Sequence, residues 1–235
     1  MANQRSFELI VWGATGFTGK LVAEYLQQRY GSDGDLRWAM AARNEDKLRQ
    51  VAEQIGARVP LLTADSHDLP SLKTLCSQTQ VICSVVGPYA AHGSELVQAC
   101  VEEKTHYCDL TGEVPWMRKI IDQHHAQAQQ KQVKIVHTCG FDSIPSDLGV
   151  FFMQKKALSE TGSYLKHIRY RFKAGRGGFS GGTIASLGQI MSESKKDPAV
   201  QKLLLSPYGL NPRDDQPDQD GPDLTQATLD PLLDA

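Results

Sequence analysis

The sequence predicts an α/β fold in which a doubly wound parallel sheet is followed by part of a second, mixed α+β domain. Six alternations of strand-like and helix-like segments fill residues 7–138, which is the arrangement of such a sheet. After Ser146 the alternation ends and a sparser pattern begins. We therefore expect a sheet domain over residues 1–146, the start of a second domain for substrate binding or dimerisation over 147–210, and a loop or disordered fragment end over 211–235.

The first strand and helix are predicted from residues 7–19, FELIVWGATGFTG. A run of apolar residues ends at Gly13, and two more glycines follow at a spacing of three before a helix-like pattern over residues 17–30. Such a turn directs backbone N–H groups and the positive end of a helix dipole to one point, where a pyrophosphate can bind. The spacing is a variant of the dinucleotide fingerprint, although glycines here could also serve the backbone alone. We favour a Rossmann-like dinucleotide-binding domain, whose phosphate-binding turn consists of Gly13, Ala14, Thr15, Gly16, Phe17 and Thr18.

The remaining elements of the sheet domain are predicted from apolar runs that end at glycine, proline or a helix-capping residue. Asn44 is typical of a helix N-cap and Gly56 of a helix C-terminus. The predicted strands are 36–42, 59–64, 81–86, 106–110 and 133–138, and the predicted helices are 45–55, 70–76, 94–103 and 114–130. Because ligands of a doubly wound sheet bind beyond the carboxyl ends of its strands, we expect the functional residues to follow the strands.

The end of the second strand predicts which dinucleotide binds. A protein that binds an unphosphorylated ribose usually has an acid about 20 residues after the glycine motif. Small residues occupy that stretch here, and Arg43 follows them. They leave room for a 2′-phosphate, which a guanidinium can bind while it stacks on adenine. The alternative is an arginine solvated at a loop, but we favour NADP(H) as the cofactor.

Further candidate residues follow the third, fourth and sixth strands. Asp65 can accept a hydrogen bond from the adenine amino group, or cap the turn in which it lies. Gly87 and Pro88 are expected along the nicotinamide half of the cofactor, or they simply stop a strand. The polar groups that could orient a substrate or exchange a proton, and that we expect around one pocket, are on Tyr89, Asp142 and Ser143. Their spacing assigns no catalytic residue.

Beyond residue 146 the sequence predicts a helix over 147–158, a strand over 165–173 and helices over 183–193 and 199–205. The glycines of SGGTIAS, residues 180–186, begin one of these helices. They could form an anion or carbonyl site, or a plain turn between domains.

Composition and charge exclude several classes of function. The formal net charge of −2 does not indicate a nucleic-acid or membrane-surface partner. No apolar run approaches the roughly 18 residues of a spanning helix, and the N-terminus does not resemble a signal peptide. Five cysteines without C-x-x-C spacing predict reduced thiols in the cytoplasm, and the adjacent His124 and His125 make a poor metal pair, so we expect no metal. The Tyr-x-x-x-Lys proton-donor pair of short-chain reductases is also missing.

Five segments are more specific together than any of them is alone. They are VWGATGFTG, AMAARNEDKL, VVGPY with its following glycine, CDLTGE and CGFDSIPSDLGV, and they extend over about residues 7–150, with weaker similarity at SGGTIAS and LSPYGLNP. In combination they resemble the saccharopine dehydrogenase-like oxidoreductases, a family that includes the trans-acting enoyl reductases and a lipid-droplet-associated branch. The resemblance implies a dinucleotide-binding domain followed by a larger mixed domain. It does not imply that saccharopine is the substrate.

Two functions from different classes are compatible with these observations. The favoured one is an NADP(H)-dependent oxidoreductase, a reductase that acts on a carbonyl, imine or enoyl group of a small-molecule or lipid-like substrate. The alternative is a non-catalytic nucleotide-sensing or lipid-associated binding protein that kept the fold. The sequence leaves open homo-oligomerisation and the membrane or lipid association of the full-length protein.

Overall fold

The computed structural model describes residues 5–171, 174, 176–178, 180–206 and 208–212. The strands are Phe7–Trp12 (β1), Trp38–Ala42 (β2), Leu61–Thr63 (β3), Thr79–Ser84 (β4), His106–Asp109 (β5) and Ile135–Val136 (β6). The helices are Phe17–Tyr30 (α1), Glu45–Ile55 (α2), Leu69–Ser77 (α3), Tyr89–His92 (α4), Ser94–Glu102 (α5), Val114–Lys131 (α6), Ile144–Thr161 (α7), Gly181–Lys196 (α8) and Pro198–Leu204 (α9). All six strands are parallel, in the order β3-β2-β1-β4-β5-β6, which confirms the predicted doubly wound sheet.

The two faces of the sheet are covered by different helices, because side chains of a strand point alternately to opposite faces. On the central strand β1, Ile10 and Trp12 pack in one buried cluster with residues of α3, α5 and α6. Val11 packs in the other cluster, with residues of α1 and α2. The order of the strands reverses between β1 and β4, and the carboxyl ends of these two neighbours form the crevice where such sheets bind ligands.

The predicted capping of α2 is confirmed. The Asn44 side chain accepts a hydrogen bond of 2.8 Å from the Lys47 N–H. Gly56 ends the helix with a φ of +67°, a left-handed conformation that favours glycine.

Several predicted strand boundaries were wrong. The fourth strand spans residues 79–84 instead of 81–86. The sixth is reduced from residues 133–138 to two residues, because Thr138 has a φ of +58° and donates its N–H to Asp109 Oδ1 (3.2 Å) outside the ladder. The predicted strand 165–173 does not form over residues 165–171, where side chains are almost all exposed and no neighbouring strand pairs with them; residues 172 and 173 lie outside the described part.

Two helices also differ from expectation. α7 begins at Ile144, so it crosses the predicted domain boundary at residue 146. A short helix that the sequence did not predict, α4, precedes α5. Within α7, α8 and α9, as far as the structure describes their side chains, Ala157 is the one buried hydrophobic residue. The division into domains stays a prediction, and most of the predicted tail, residues 213–235, lies outside the described residues.

Among the helices of the described residues, none combines the length and the apolar character that a membrane span requires.

Candidate dinucleotide-binding site

The turn between β1 and α1 requires glycine at two positions. Gly13 has a φ of +93°, and a Cβ there would lie 2.5 Å from Val86 Cγ2. A Cβ on Gly19 would lie 2.1 Å from the carbonyl oxygen of Gly13. The first glycine therefore permits the turn, and the third permits helix and strand to pack closely.

The second glycine leaves the start of α1 open. Gly16 is the N-cap of this helix, with extended backbone, and provides no side chain to cap it. The first N–H groups of a helix have no partner within the helix, and the first turn of α1 contains no acidic residue. The nearest atom to a Cβ on Gly16 would be the Gly13 carbonyl oxygen at 3.4 Å, so the backbone here is accessible to a ligand. These features fit a pyrophosphate group.

The other residues of the turn have separate roles. Ala14 is fully buried and its N–H donates to the Ala41 carbonyl (3.2 Å), which joins the turn to β2. The side chain of Phe17 is exposed. Thr15 and Thr18 line two different cavities.

The smaller cavity, of about 200 Å³, joins the glycine turn to the end of β2. Gly13 and Thr15 line it together with Arg43 and Gly87. The structure thus brings together predicted residues from the ends of β1, β2 and β4. An exposed guanidinium beside the glycine turn fits the 2′-phosphate of NADP(H).

Two histidines of this cavity were missed by the sequence analysis. His67 and His92 both line it, and His92 Nδ1 lies 3.2 Å from His67 Nε2. His67 follows the third strand, where ligand-binding residues are expected, so its position carried a signal. His92 lies on α4, which the sequence did not predict.

The carboxylate of Asp65 stabilises the loop after β3, in which Asp65 itself lies. Asp65 Oδ1 accepts the His67 N–H (2.9 Å), and the Asp65 carbonyl accepts the Asp68 N–H (3.1 Å). Asp65 is not among the residues that line the smaller cavity. Of the two roles considered for this residue, the hydrogen bonds correspond to the capping of a turn.

The larger cavity, of about 620 Å³, shares Gly87 with the smaller one. Gly87, Tyr89, Phe141 and Asp142 line it together with Thr18 of the glycine turn. The expected common pocket after β4 and β6 is therefore present. Pro88 and Ser143 are instead the N-cap residues of α4 and α7, and they are not among the residues that line this cavity.

Tyr89 forms part of the wall of the larger cavity, and its hydroxyl is not directed to donate a proton to a ligand. Its side chain is buried, and its hydroxyl donates a hydrogen bond of 3.2 Å to the Ser84 carbonyl. Burial, reinforced by the nearby Asp109 carboxylate, raises the pKa of the Tyr89 phenol well above its ordinary value. The phenol therefore remains neutral at physiological pH.

Glu113 is a buried carboxylate that sequence analysis missed. Only 2% of the residue is exposed, and its two oxygens accept the N–H groups of Tyr89 and Ala90, at 2.8 Å each. The Ser186 hydroxyl donates to Glu113 Oε1 at 2.6 Å. Glu113 thus holds the turn after Gly87 and also joins it to α8. The segment CDLTGE contained this residue, but its partners lie 24 and 73 positions away in sequence.

Asp109 and His137 hold together the chain at the ends of β5 and β6. Asp109 is buried, and its carboxylate accepts the Thr111 N–H (3.1 Å) and the Thr138 N–H (3.2 Å). His137 Nδ1 lies 2.7 Å from Asp109 Oδ2, so the ring donates there. The pair fixes the loop that carries Thr111 along the cavity.

No group of three or more His, Cys, Asp or Glu residues in the described chain is arranged to hold a metal ion.

Comparison with known proteins gives the site its context. The family model for the saccharopine dehydrogenase NADP-binding domain matches residues 9–136. A Mycobacterium tuberculosis protein with the provisional name of a trans-acting enoyl reductase is 41% identical over 214 residues, covering 90% of this chain and 50% of that protein. A trans-acting enoyl reductase of Mycobacterium ulcerans is 38% identical over 217 residues, covering 88% and 50%.

Among solved structures, the apo saccharopine dehydrogenase (L-Glu forming) of Saccharomyces cerevisiae has the same fold. Its TM-score is 0.52 at 18% identity, covering 63% of this chain and 31% of that one. The chain spans about half the length of the curated relatives it matches. The matched residues 9–136 contain the glycine turn, Arg43 and Gly87, and the family confirms the predicted cofactor class, NADP(H). The chain belongs to the saccharopine dehydrogenase NADP-binding domain family.

Proposed function

We propose that this chain is the cofactor-binding part of an NADP(H)-dependent reductase. We further propose that the group it reduces is an enoyl group. The observation that carries the proposal is the meeting of two cavities at Gly87. One contains Arg43, the other is larger and more apolar, and the glycine turn lies between them. An extended dinucleotide placed across this turn has its two ends in different chemical environments.

Each part of the cofactor has a proposed binding group. The turn from Gly13 to Thr18 binds the pyrophosphate through backbone N–H groups, and Arg43 binds the 2′-phosphate. Gly87, followed by Pro88, allows the backbone to approach the nicotinamide half closely. Asp65 keeps the loop beside the adenine in position. When bound, NADPH supplies the hydride; the chain binds and orients it and excludes water from the cavity.

The lining of the larger cavity supports an acyl-type substrate. Its apolar residues are Val85, Leu110, Phe141, Leu187 and Ile190. Its volume of about 620 Å³ is in the usual range of small-molecule sites. The two relatives named as trans-acting enoyl reductases support the choice of an enoyl group over a carbonyl or imine.

The polar groups of the substrate pocket are few. Asp142 is exposed to the larger cavity, whereas the Tyr89 hydroxyl is bonded to Ser84. We propose Asp142 as the substrate-orienting residue among the three predicted candidates, and Tyr89 and Ser143 as residues of the surrounding framework. No catalytic proton donor is assigned.

A direct test measures the loss of nicotinamide absorbance when the full-length protein is mixed with NADPH and a trans-2-enoyl thioester of a long-chain acid. The saturated thioester of the same length is the matched control. We expect NADPH consumption with the enoyl compound alone. If NADPH binds but is consumed with no enoyl, carbonyl or imine substrate, the nucleotide-sensing alternative replaces the reductase.

The predicted cytoplasmic location and homo-oligomerisation stay proposals. The five cysteines are free thiols, which supports a reducing compartment.

A further inference from the structure

The hydroxyl of Ser186 lies where the predicted second domain contacts the sheet domain. Ser186 is on α8, and it lines the larger cavity together with Gly87 and Tyr89. A Cβ built on Gly87 would lie 3.8 Å from Ser186 Oγ. This hydroxyl is therefore close to the backbone that we propose for the nicotinamide half of the cofactor.

The bond to Glu113 fixes the direction of the Ser186 hydroxyl. Both oxygens of the Glu113 carboxylate accept backbone N–H groups, from Tyr89 and Ala90. A carboxylate oxygen can only accept, so Ser186 donates its one proton across the 2.6 Å contact. Ser186 Oγ then offers only lone pairs to a ligand, and the carboxylate strengthens it as an acceptor.

The position of Glu113 makes this arrangement rigid. Glu113 is the N-cap of α6 and is almost completely buried. Its backbone N–H donates to Thr111 Oγ1 at 3.1 Å, so the backbone that carries the carboxylate is also held. The acceptor on Ser186 is thus held before a ligand arrives, which lowers the entropic cost of binding.

We propose that Ser186, oriented by Glu113, accepts a hydrogen bond from an amide N–H, and that this amide is the carboxamide of the bound nicotinamide ring. This inference rests on the proposed function and assigns the binding subsite for one end of the cofactor. It makes Ser186 a positioning residue that sets the rotation of the ring. It also gives α8, outside the matched family segment, a part in cofactor binding.

The test compares three ligands by isothermal titration. NADP⁺ carries the amide N–H, its 3-acetylpyridine analogue replaces the NH₂ by a methyl group, and 2′,5′-ADP lacks the ring altogether. We expect the wild-type chain to bind NADP⁺ roughly tenfold more tightly than the analogue, as one hydrogen bond to a charge-assisted group allows. Ser186→Ala should remove this difference by weakening NADP⁺ alone, with the analogue and 2′,5′-ADP unaffected.

Two further variants separate positioning from structure. Ser192→Ala makes the same substitution at an exposed position of the same helix, and it should leave all three affinities unchanged. Ser186→Thr retains a hydroxyl and should restore preference for NADP⁺ over the analogue, which also keeps the test valid if Ser186→Ala is unstable.

The inference is overturned if Ser186→Ala keeps the preference for NADP⁺, or if it weakens all three ligands equally. If the Ser186→Ala variant keeps the preference, the Ser186 hydroxyl binds an amide of the substrate, or it binds no amide. Failure of the proposed function looks different. If the cofactor site is wrong, the wild-type protein does not bind 2′,5′-ADP, and if only the reductase activity is wrong, the three affinities follow the expected pattern but NADPH is not consumed with an enoyl substrate.

Discussion

Residues 5–140 and residues 141–212 differ in how their apolar side chains are used. In the first region, central residues such as Ile82 and Leu96 are fully buried. In the second, Phe151 and Phe152 on α7 are more than half exposed, and α8 and α9 bury no residue whose side chain the structure describes. The first region is thus held by its core, whereas α8 is joined to it by a partly buried polar contact, Ser186 to Glu113. We therefore expect the cofactor site in the first region to be rigid, and the part of the larger cavity that α8 lines to change shape more easily.

The largest difference is expected for nucleotide binding. Gly16→Val should place a side chain where we propose the pyrophosphate and abolish NADPH binding. The fold should survive, because Gly16 has an ordinary extended φ of −79° and its Cβ position is free of close contacts. Gly149→Val on α7, where a Cβ meets nothing within 4 Å, is the matched control and should bind normally. Fluorescence titration measures both; unchanged affinity in folded Gly16→Val would refute the phosphate site.

The next largest difference is expected in the stability lost when one of two helical leucines is replaced by alanine. Leu96→Ala removes a fully buried side chain of α5 and should lower the free energy of unfolding by about 2–5 kcal/mol. Leu148→Ala on α7 removes a side chain that is 53% exposed and should change it by no more than about 0.5 kcal/mol. Urea denaturation gives both values. Equal losses would mean that α7 contributes to the core as α5 does.

Arg43→Ala should change selectivity rather than stability. A charge-assisted contact contributes roughly 1.5–3 kcal/mol, so the variant should lose a tenfold to hundredfold preference for NADPH over NADH. NADH affinity should barely change, since NADH lacks the 2′-phosphate. Arg169→Ala, at an exposed position in the second region, should keep the preference. If Arg43→Ala still prefers NADPH, the 2′-phosphate is bound by other groups, such as His67.

The smallest effect concerns thiol reactivity. Burial raises the pKa of the Cys100 thiol well above its ordinary value, whereas Cys139 is exposed and its pKa is raised less, again mainly by partial burial. Because the thiolate is the reactive form, Cys139 should be labelled in the native protein long before Cys100, and its rate should grow about tenfold per pH unit up to the raised pKa. Cys100 should react only on unfolding. Mass spectrometry of a labelling time course would identify the residues, and early labelling of Cys100 would contradict the predicted core.

The sequence predicted those parts of the site that depend on short segments. Gly13 and Arg43 follow the ends of β1 and β2, and Gly19 lies in the first turn of α1, so their positions follow from local pattern and the topology of the sheet. The Glu113–Ser186 bond could not be predicted, because it joins residues 73 positions apart and a glutamate before a helix is common without any such partner. α4 was missed for a related reason, since its first N–H groups are satisfied by that distant carboxylate.

The prediction of a strand over residues 165–173 shows the limit of periodicity. The alternation of LKHIRYRFK is that of a half-buried strand, but residues 165–171 pair with no strand in the described chain. Alternation indicates a strand only where another strand and a core are available to pair with it.

The central claim is that NADP(H) binds across the glycine turn with its 2′-phosphate at Arg43. Trp12 is buried and lines the smaller cavity, so tryptophan fluorescence should report occupancy there. Titration of the wild-type chain with NADPH and with NADH is therefore the most direct test. We predict saturable quenching by both, with NADPH binding roughly tenfold to hundredfold more tightly. Equal affinities, or no saturation with NADPH, would contradict the claim.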